Sequence, residues 1–131
     1  MRVYLPIKHG DLAEFLTSGS MEVVQVFGAT QAFIDANLEC DDEEIEYLLS
    51  VLAGESALEL CQSSKAPGLV LAIDLEAIQC GESSQEMLGV MGVIGALDWK
   101  QVQCALLASA DEDELAWFAV QEISQELENW K

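Results

Sequence analysis

The sequence predicts an α/β fold: a mixed sheet of four to five strands packed by about four helices. Three observations support it. Short β-branched or apolar runs alternate along the chain with segments whose apolar residues recur at three and four positions. One run, Leu69-Val70-Leu71-Ala72-Ile73, is apolar throughout, as in a strand covered on both faces. Hydrophobic residues fill 51% of the 131 positions, at a mean hydropathy of +0.23. That is enough for one sizeable core, and no linker composition divides it, so residues 1–131 are expected to form a single layered domain.

Residues 1–6 are β-prone and closed by Pro6. Residues 11–18 then carry Leu12, Phe15 and Leu16 at helical spacing before Gly19 stops them. Residues 23–27 are a second β-branched run ended by Gly28, and residues 30–37 have room for two helical turns. This order suits a βαβ unit with a right-handed crossover. From Asp41 to about Ser63, Ile45, Leu48, Leu49, Leu52 and Leu60 repeat at three and four, with Tyr47, Val51 and Leu58 alongside, predicting a long, broadly buried helix. Pro67 and Gly68 end that pattern, and 69–73 is expected inside the sheet. Residues 76–86 look like a loop and the most mobile stretch. Residues 87–94 read as either strand or helix, and three glycines within 89–95 argue against helix. Residues 102–108 read as another strand. Residues 111–129 read as a closing helix with Leu115, Ala119, Ile123 and Leu127 at four-residue steps, widened by Phe118 and Trp130.

Charge is the loudest signal. Twenty-four Asp and Glu against five Lys and Arg give −19. A direct nucleic-acid binder needs a basic surface against phosphate, and an anionic membrane would repel this chain, so neither is expected as a partner. The carboxylates concentrate at Glu39, Asp41, Asp42, Glu43, Glu44 and Glu46, and again at Asp111, Glu112, Asp113 and Glu114. Both groups sit at predicted helix starts, where N–H groups and the helix dipole favour negative charge, and Asp41 with Glu44 and Ser109 with Glu112 have capping-box spacing. Two helix ends need only a few carboxylates, however. The surplus is either a solubilising surface or an acidic face for a basic protein partner, and these ten residues are the candidate contact set. A divalent-cation site is disfavoured, because the second run lacks the alternating ligands and central glycine of a calcium loop.

Catalytic groupings are sparse. Cys40, Cys61, Cys80 and Cys104 are separated by 21, 19 and 24 positions, so they read as free, mostly buried thiols of a cytoplasmic protein rather than a zinc or redox pair. One histidine, His9, excludes a two-imidazole metal site. No Gly-x-Ser-x-Gly elbow surrounds any serine. Gly89, Gly92 and Gly95 lack the lysine of a phosphate loop and read as close-packing glycines. No cofactor and no metal are expected. His9 with Asp11 to orient it is the one candidate acid–base pair, placed by a cleft at the carboxyl ends of the strands. The apolar stretch after Arg2 is too short for a signal peptide, and 87–97 is too short to span a bilayer. Trp117 could face core or partner, and a homo-oligomer burying Trp117 or Trp130 stays open.

The ends of the chain resemble a family. Met1-Arg2-Val3-Tyr4-Leu5-Pro6 and Glu114-Leu115-Ala116-Trp117-Phe118-Ala119-Val120-Gln121-Glu122-Ile123 are similar to two signatures of a small actinobacterial family of unknown function. Phe27-Gly28-Ala29-Thr30 and Asp42-Glu43-Glu44-Ile45-Glu46-Tyr47 resemble its middle, with Gln31 where its members have proline. The resemblance implies a bacterial cytosolic α/β protein and brings no assigned catalytic residue. The function expected is contact with a basic partner without catalysis. The alternative is a small enzyme or ligand binder built on the cleft.

Overall fold

The computed structural model describes residues 1–61, 66–112 and 114–131. Nine strands and four α-helices lie among them. They run in chain order β1 (Arg2–Ile7), α1 (His9–Ser18), β2 (Ser20–Glu22), β3 (Gln25–Gly28), α2 (Gln31–Ala36), α3 (Asp42–Leu60), β4 (Gly68–Asp74), β5 (Cys80–Ser83), β6 (Val90–Val93), β7 (Ala96–Asp98), β8 (Val102–Ala108), β9 (Ala116–Ala119) and α4 (Ile123–Glu126). Short 3₁₀ turns flank β5, β8 and α4.

The α/β class stands, but the sheet is larger than expected and differently wired. Seven strands line up as β5-β6-β3-β1-β4-β8-β9, each pairing antiparallel, and β2 with β7 makes a separate two-stranded ribbon. The expected mixed sheet of four or five strands is therefore corrected, and the expected right-handed βαβ crossover with it. After α1 the chain makes an extra leg through β2, so it enters β3 at the end where it left β1, and Val3 and Tyr4 pair antiparallel with Gly28 and Phe27.

Alternation along the central strands builds two cores. Val3, Leu5 and Ile7 of β1 and Leu69, Leu71 and Ile73 of β4 meet Leu12 and Phe15 of α1 and Ile123 on one face. Tyr4, Val70 and Ala72 point the other way, against Phe33 of α2 and Ile45, Leu49, Ala53 and Ala57 of α3. The first six residues of β4 are all buried, as a strand with helices on both faces must be. At Gly68 the backbone of α3 comes so close that a Cβ would stand 2.9 Å from the nitrogen of Leu58, which explains a glycine just where β4 begins.

Two further readings are corrected. The stretch 76–86, expected as a mobile loop, contains a 3₁₀ turn (Ala77–Gln79) and strand β5. Gln79 holds it in place: its side chain accepts from the Glu76 N–H at 3.0 Å and donates to the Ala96 carbonyl at 3.1 Å. The closing helix over 111–129 does not form. Ala116–Ala119 instead pairs with Cys104–Leu107 of β8, and helix resumes only at Ile123. Trp117 and Phe118 favour a pleated surface. The strand sends Phe118 inward to an edge-to-face contact with Trp130 at 5.2 Å. Trp130 is thereby spent on this chain's own core.

Candidate functional site

α3 is the best-specified helix. Asp41 accepts from the Glu44 N–H at 2.9 Å while the Glu44 carboxylate takes the Asp41 N–H, the expected capping box, and its buried stripe Ile45, Leu49, Ala53 and Ala57 lies on the sheet. The carboxylates opposite that stripe face water. Asp35, Glu39, Asp41, Asp42, Glu43, Glu44, Glu46, Glu55 and Glu59 are all exposed, and no Lys or Arg occurs between Lys8 and Lys65. The α2–α3 layer is therefore a surface of one sign. Arg2 lies at the sheet end of β1 and is held by Asp74 at 2.7 Å, which raises its pKa chiefly through that hydrogen bond.

The two acidic runs do not merge. The first, Glu39 to Glu46, surrounds the start of α3. The second is not at a helix start but in the turn between β8 and β9. There Ser109 makes no capping box, and its hydroxyl accepts instead from the Asp111 N–H at 3.3 Å. Asp111, Glu112 and Glu114 are exposed on this turn, and Asp113 lies outside the described residues. Leu115 anchors the turn against Gly54, where a Cβ would stand 3.0 Å from its side chain. Gly54 is twelve positions beyond Asp42, or about 18 Å along the helix axis at 1.5 Å per residue. The runs occupy two ends of one flank of α3. Glu55, Glu59 and Asp35, which complete the acidic surface, were outside the candidate set. Their signal was the absence of cations from residue 9 to residue 64.

A cleft of about 460 Å³ opens at the far end of α3, where β1 ends and β4 begins. Ile7, Leu60, Leu69 and Trp130 wall it, and Lys8, His9, Asp11, Cys61 and Lys131 also line it. It is at the carboxyl end of β1, as expected for His9 and Asp11, although the neighbouring strands run the opposite way. The candidate pair does not form, however. His9 Nε2–H donates to the Leu127 carbonyl at 2.7 Å, and no hydrogen bond joins it to Asp11 among the described residues. The Leu127 carbonyl, and not the Asp11 carboxylate, positions this imidazole.

Three of the four thiols are held toward the protonated form. Cys61 in the cleft donates to the Pro67 carbonyl at 3.2 Å, and burial pushes its pKa up. Cys104 is raised by burial, and Cys40 by desolvation with the added charges of Glu39, Glu44 and Asp41. Thiols raised in this way are weak nucleophiles at neutral pH. Among the described residues no three His, Cys, Asp or Glu side chains are grouped to hold a metal ion, and no helix is long and apolar enough to cross a membrane.

The chain matches no curated protein and no solved structure. A family model does match, over residues 1–108, so the expected likeness to an uncharacterised family holds for the opening and middle signatures, whereas the closing one lies beyond the match. On that coverage the chain belongs to a family of unknown function, DUF6912.

Proposed function

We propose that this is a non-enzymatic bacterial protein of the cytoplasm that works by contact, presenting the α2–α3 face to a basic protein partner. The observation that carries this reading is nine exposed carboxylates on one helical layer, with no cation among residues 9–64. Like charges held together on a folded surface cost stability through mutual repulsion, and solubility alone does not require them to be segregated. Such a face raises the encounter rate with a cationic surface and rejects anionic ones. The raised thiols and the carbonyl-bound His9 support the non-catalytic half of the reading.

The test compares two variants carrying equal charge changes. One is Glu43→Gln, Glu46→Gln, Glu55→Gln and Glu59→Gln on α3. The other is Glu14→Gln, Glu22→Gln, Glu76→Gln and Glu82→Gln elsewhere on the surface. The α3 variant should bind a polylysine probe about tenfold more weakly at 0.15 M salt, mainly through a slower association rate, and the control should bind it about as the parent does. Equal losses in the two variants, or binding indifferent to salt, would defeat the reading.

A second reading rests on the cleft. Its volume is within the range of small-ligand sites, and its apolar wall with two of the chain's five cations at the rim suits a small apolar molecule bearing a carboxylate. In thermal melts with aliphatic and aromatic monocarboxylates at millimolar concentration, at least one should raise the parent's Tm and leave Lys8→Glu unmoved. A panel that shifts neither protein removes this reading.

A further inference from the structure

We propose that the open edge of β9 takes an extended, lysine- or arginine-bearing segment of the partner as an eighth strand of the sheet. This rests on the contact reading above and specifies the form in which the basic partner binds.

β9 is the last strand of the seven, paired through Ala116, Trp117, Phe118 and Ala119 to β8 on one side only. Soluble proteins blunt such edges with charged residues, proline or a bulge. Here the edge reads Ala-Trp-Phe-Ala, with no charge, no proline and a regular register. Its backbone polarity can be worked out. The Ala119 N–H is taken by the Glu122 carboxylate at 3.0 Å, so it points away from β8. Residues two apart on a strand direct their backbone groups to the same side, which leaves the N–H and C=O of Trp117 facing outward as well. Glu122 closes the edge at its Ala119 end. An added strand therefore extends the other way, from Trp117 toward the turn that carries Glu114, Glu112 and Asp111, all exposed.

The side chains at this edge select the occupant. Trp117 is 62% exposed, and a residue placed opposite it becomes a cross-strand neighbour of its indole, against which the stem of a lysine or arginine packs. The acidic turn receives further cations along the segment. A second copy of this chain is the wrong occupant: it would set one acidic turn against another across two chains of −19 each. Edge protection is thus absent from the backbone and present only as charge, which rejects acidic strands and admits basic ones.

The experiment uses the full chain and three synthetic octapeptides: alternating lysine and valine, the same peptide with proline replacing a central valine, and alternating glutamate and valine. Amide hydrogen exchange is read by NMR alongside affinity. The lysine–valine peptide should bind and slow exchange at the Trp117 amide at least tenfold. The proline peptide should lose that protection because it cannot complete a ladder, and the glutamate peptide should not bind. Trp117→Lys, which places a guarding charge on the exposed edge, should weaken binding at least fivefold. Its melting temperature is checked against the parent, and the exchange result on the parent stands whatever the variant does. Salt-sensitive binding without protection at Trp117 overturns strand addition and leaves the acidic-face reading intact. No binding by the lysine–valine peptide, or equal protection by all three, also overturns it. Pairing of two copies, seen as Trp117 protection that grows with protein concentration alone, overturns the choice of occupant.

Discussion

Phe15→Ala is expected to lower the free energy of unfolding by about 3–5 kcal/mol, a large part of the 5–15 kcal/mol typical of a domain. Phe15 is 1% exposed and stands edge-on to Trp99, ring centres 5.0 Å apart at 87°. The size of the loss follows from how α1 is held. The helix has only ten residues, no side-chain cap at Lys8, and just two fully buried side chains, Leu12 and Phe15. A helix this short is marginal in water and owes its existence to packing. Truncating Phe15 removes its burial, leaves a cavity under the sheet and takes away the Trp99 contact, itself worth about 0.5–1.5 kcal/mol. Urea titration should show a lower midpoint at an unchanged slope, with a shift in Trp99 emission. Leu16→Ala, one position on and half-buried, should cost about 1 kcal/mol or less. A loss at Phe15 no larger than at Leu16 would mean that α1 is held to the sheet by something other than this side chain.

Where the sequence was readable, several local signals agreed. α3 combined the Asp41 and Glu44 spacing with a repeat of Ile45, Leu49 and Leu52 over many turns, and its start is where that pattern put it. β4 was long enough for its unbroken apolar run to stand out. By contrast β5, β6, β7 and β9 have three or four residues each, too few for a period of two to declare itself, and they exist because a neighbour supplies the hydrogen-bond ladder. Leu115, Ala119, Ile123 and Leu127 do recur every four positions. They are nonetheless shared among a turn, the end of β9 and two short helical turns, because the pairing of Trp117 and Phe118 with Leu106 and Ala105 overrode the helical pattern. The acidic face was half legible. Its runs were conspicuous, but the joining of Asp35, Glu55 and Glu59 to them depends on α2 and α3 sharing one side of the sheet. The cleft was the least legible, since its wall comes from the ends of β1 and α3, the start of β4 and the residues after α4.

Between pH 10 and pH 12 the protein should lose about 3 kcal/mol of stability through one phenol, that of Tyr4. Tyr4 is 5% exposed on β1, beneath α3, and its pKa is pushed up to about 12, first by burial and then by the charge of Glu46, with Arg2 pulling the other way. In the unfolded chain a tyrosine ionises near pH 10. Below that value both states hold the proton, and the group gives no slope. Above it the unfolded chain releases the proton while the folded one keeps it. Stability then falls by about 1.4 kcal/mol per unit, and the fall ends once pH passes the folded value. Tyr4→Phe has no proton to lose, so the difference between the two stability curves should be flat to pH 10 and then close or reverse by about 3 kcal/mol, with the alkaline titration of every other group cancelling. Parallel curves would mean that the folded protein lets water reach this phenol. The same pair of curves also weighs the acidic face against the core beneath it. Glu46→Gln removes the charge that acts most strongly on this phenol, so Tyr4 should ionise at a lower pH in the folded protein and the alkaline loss should shrink, which expresses repulsion from the α3 surface as a stability difference at a single buried side chain.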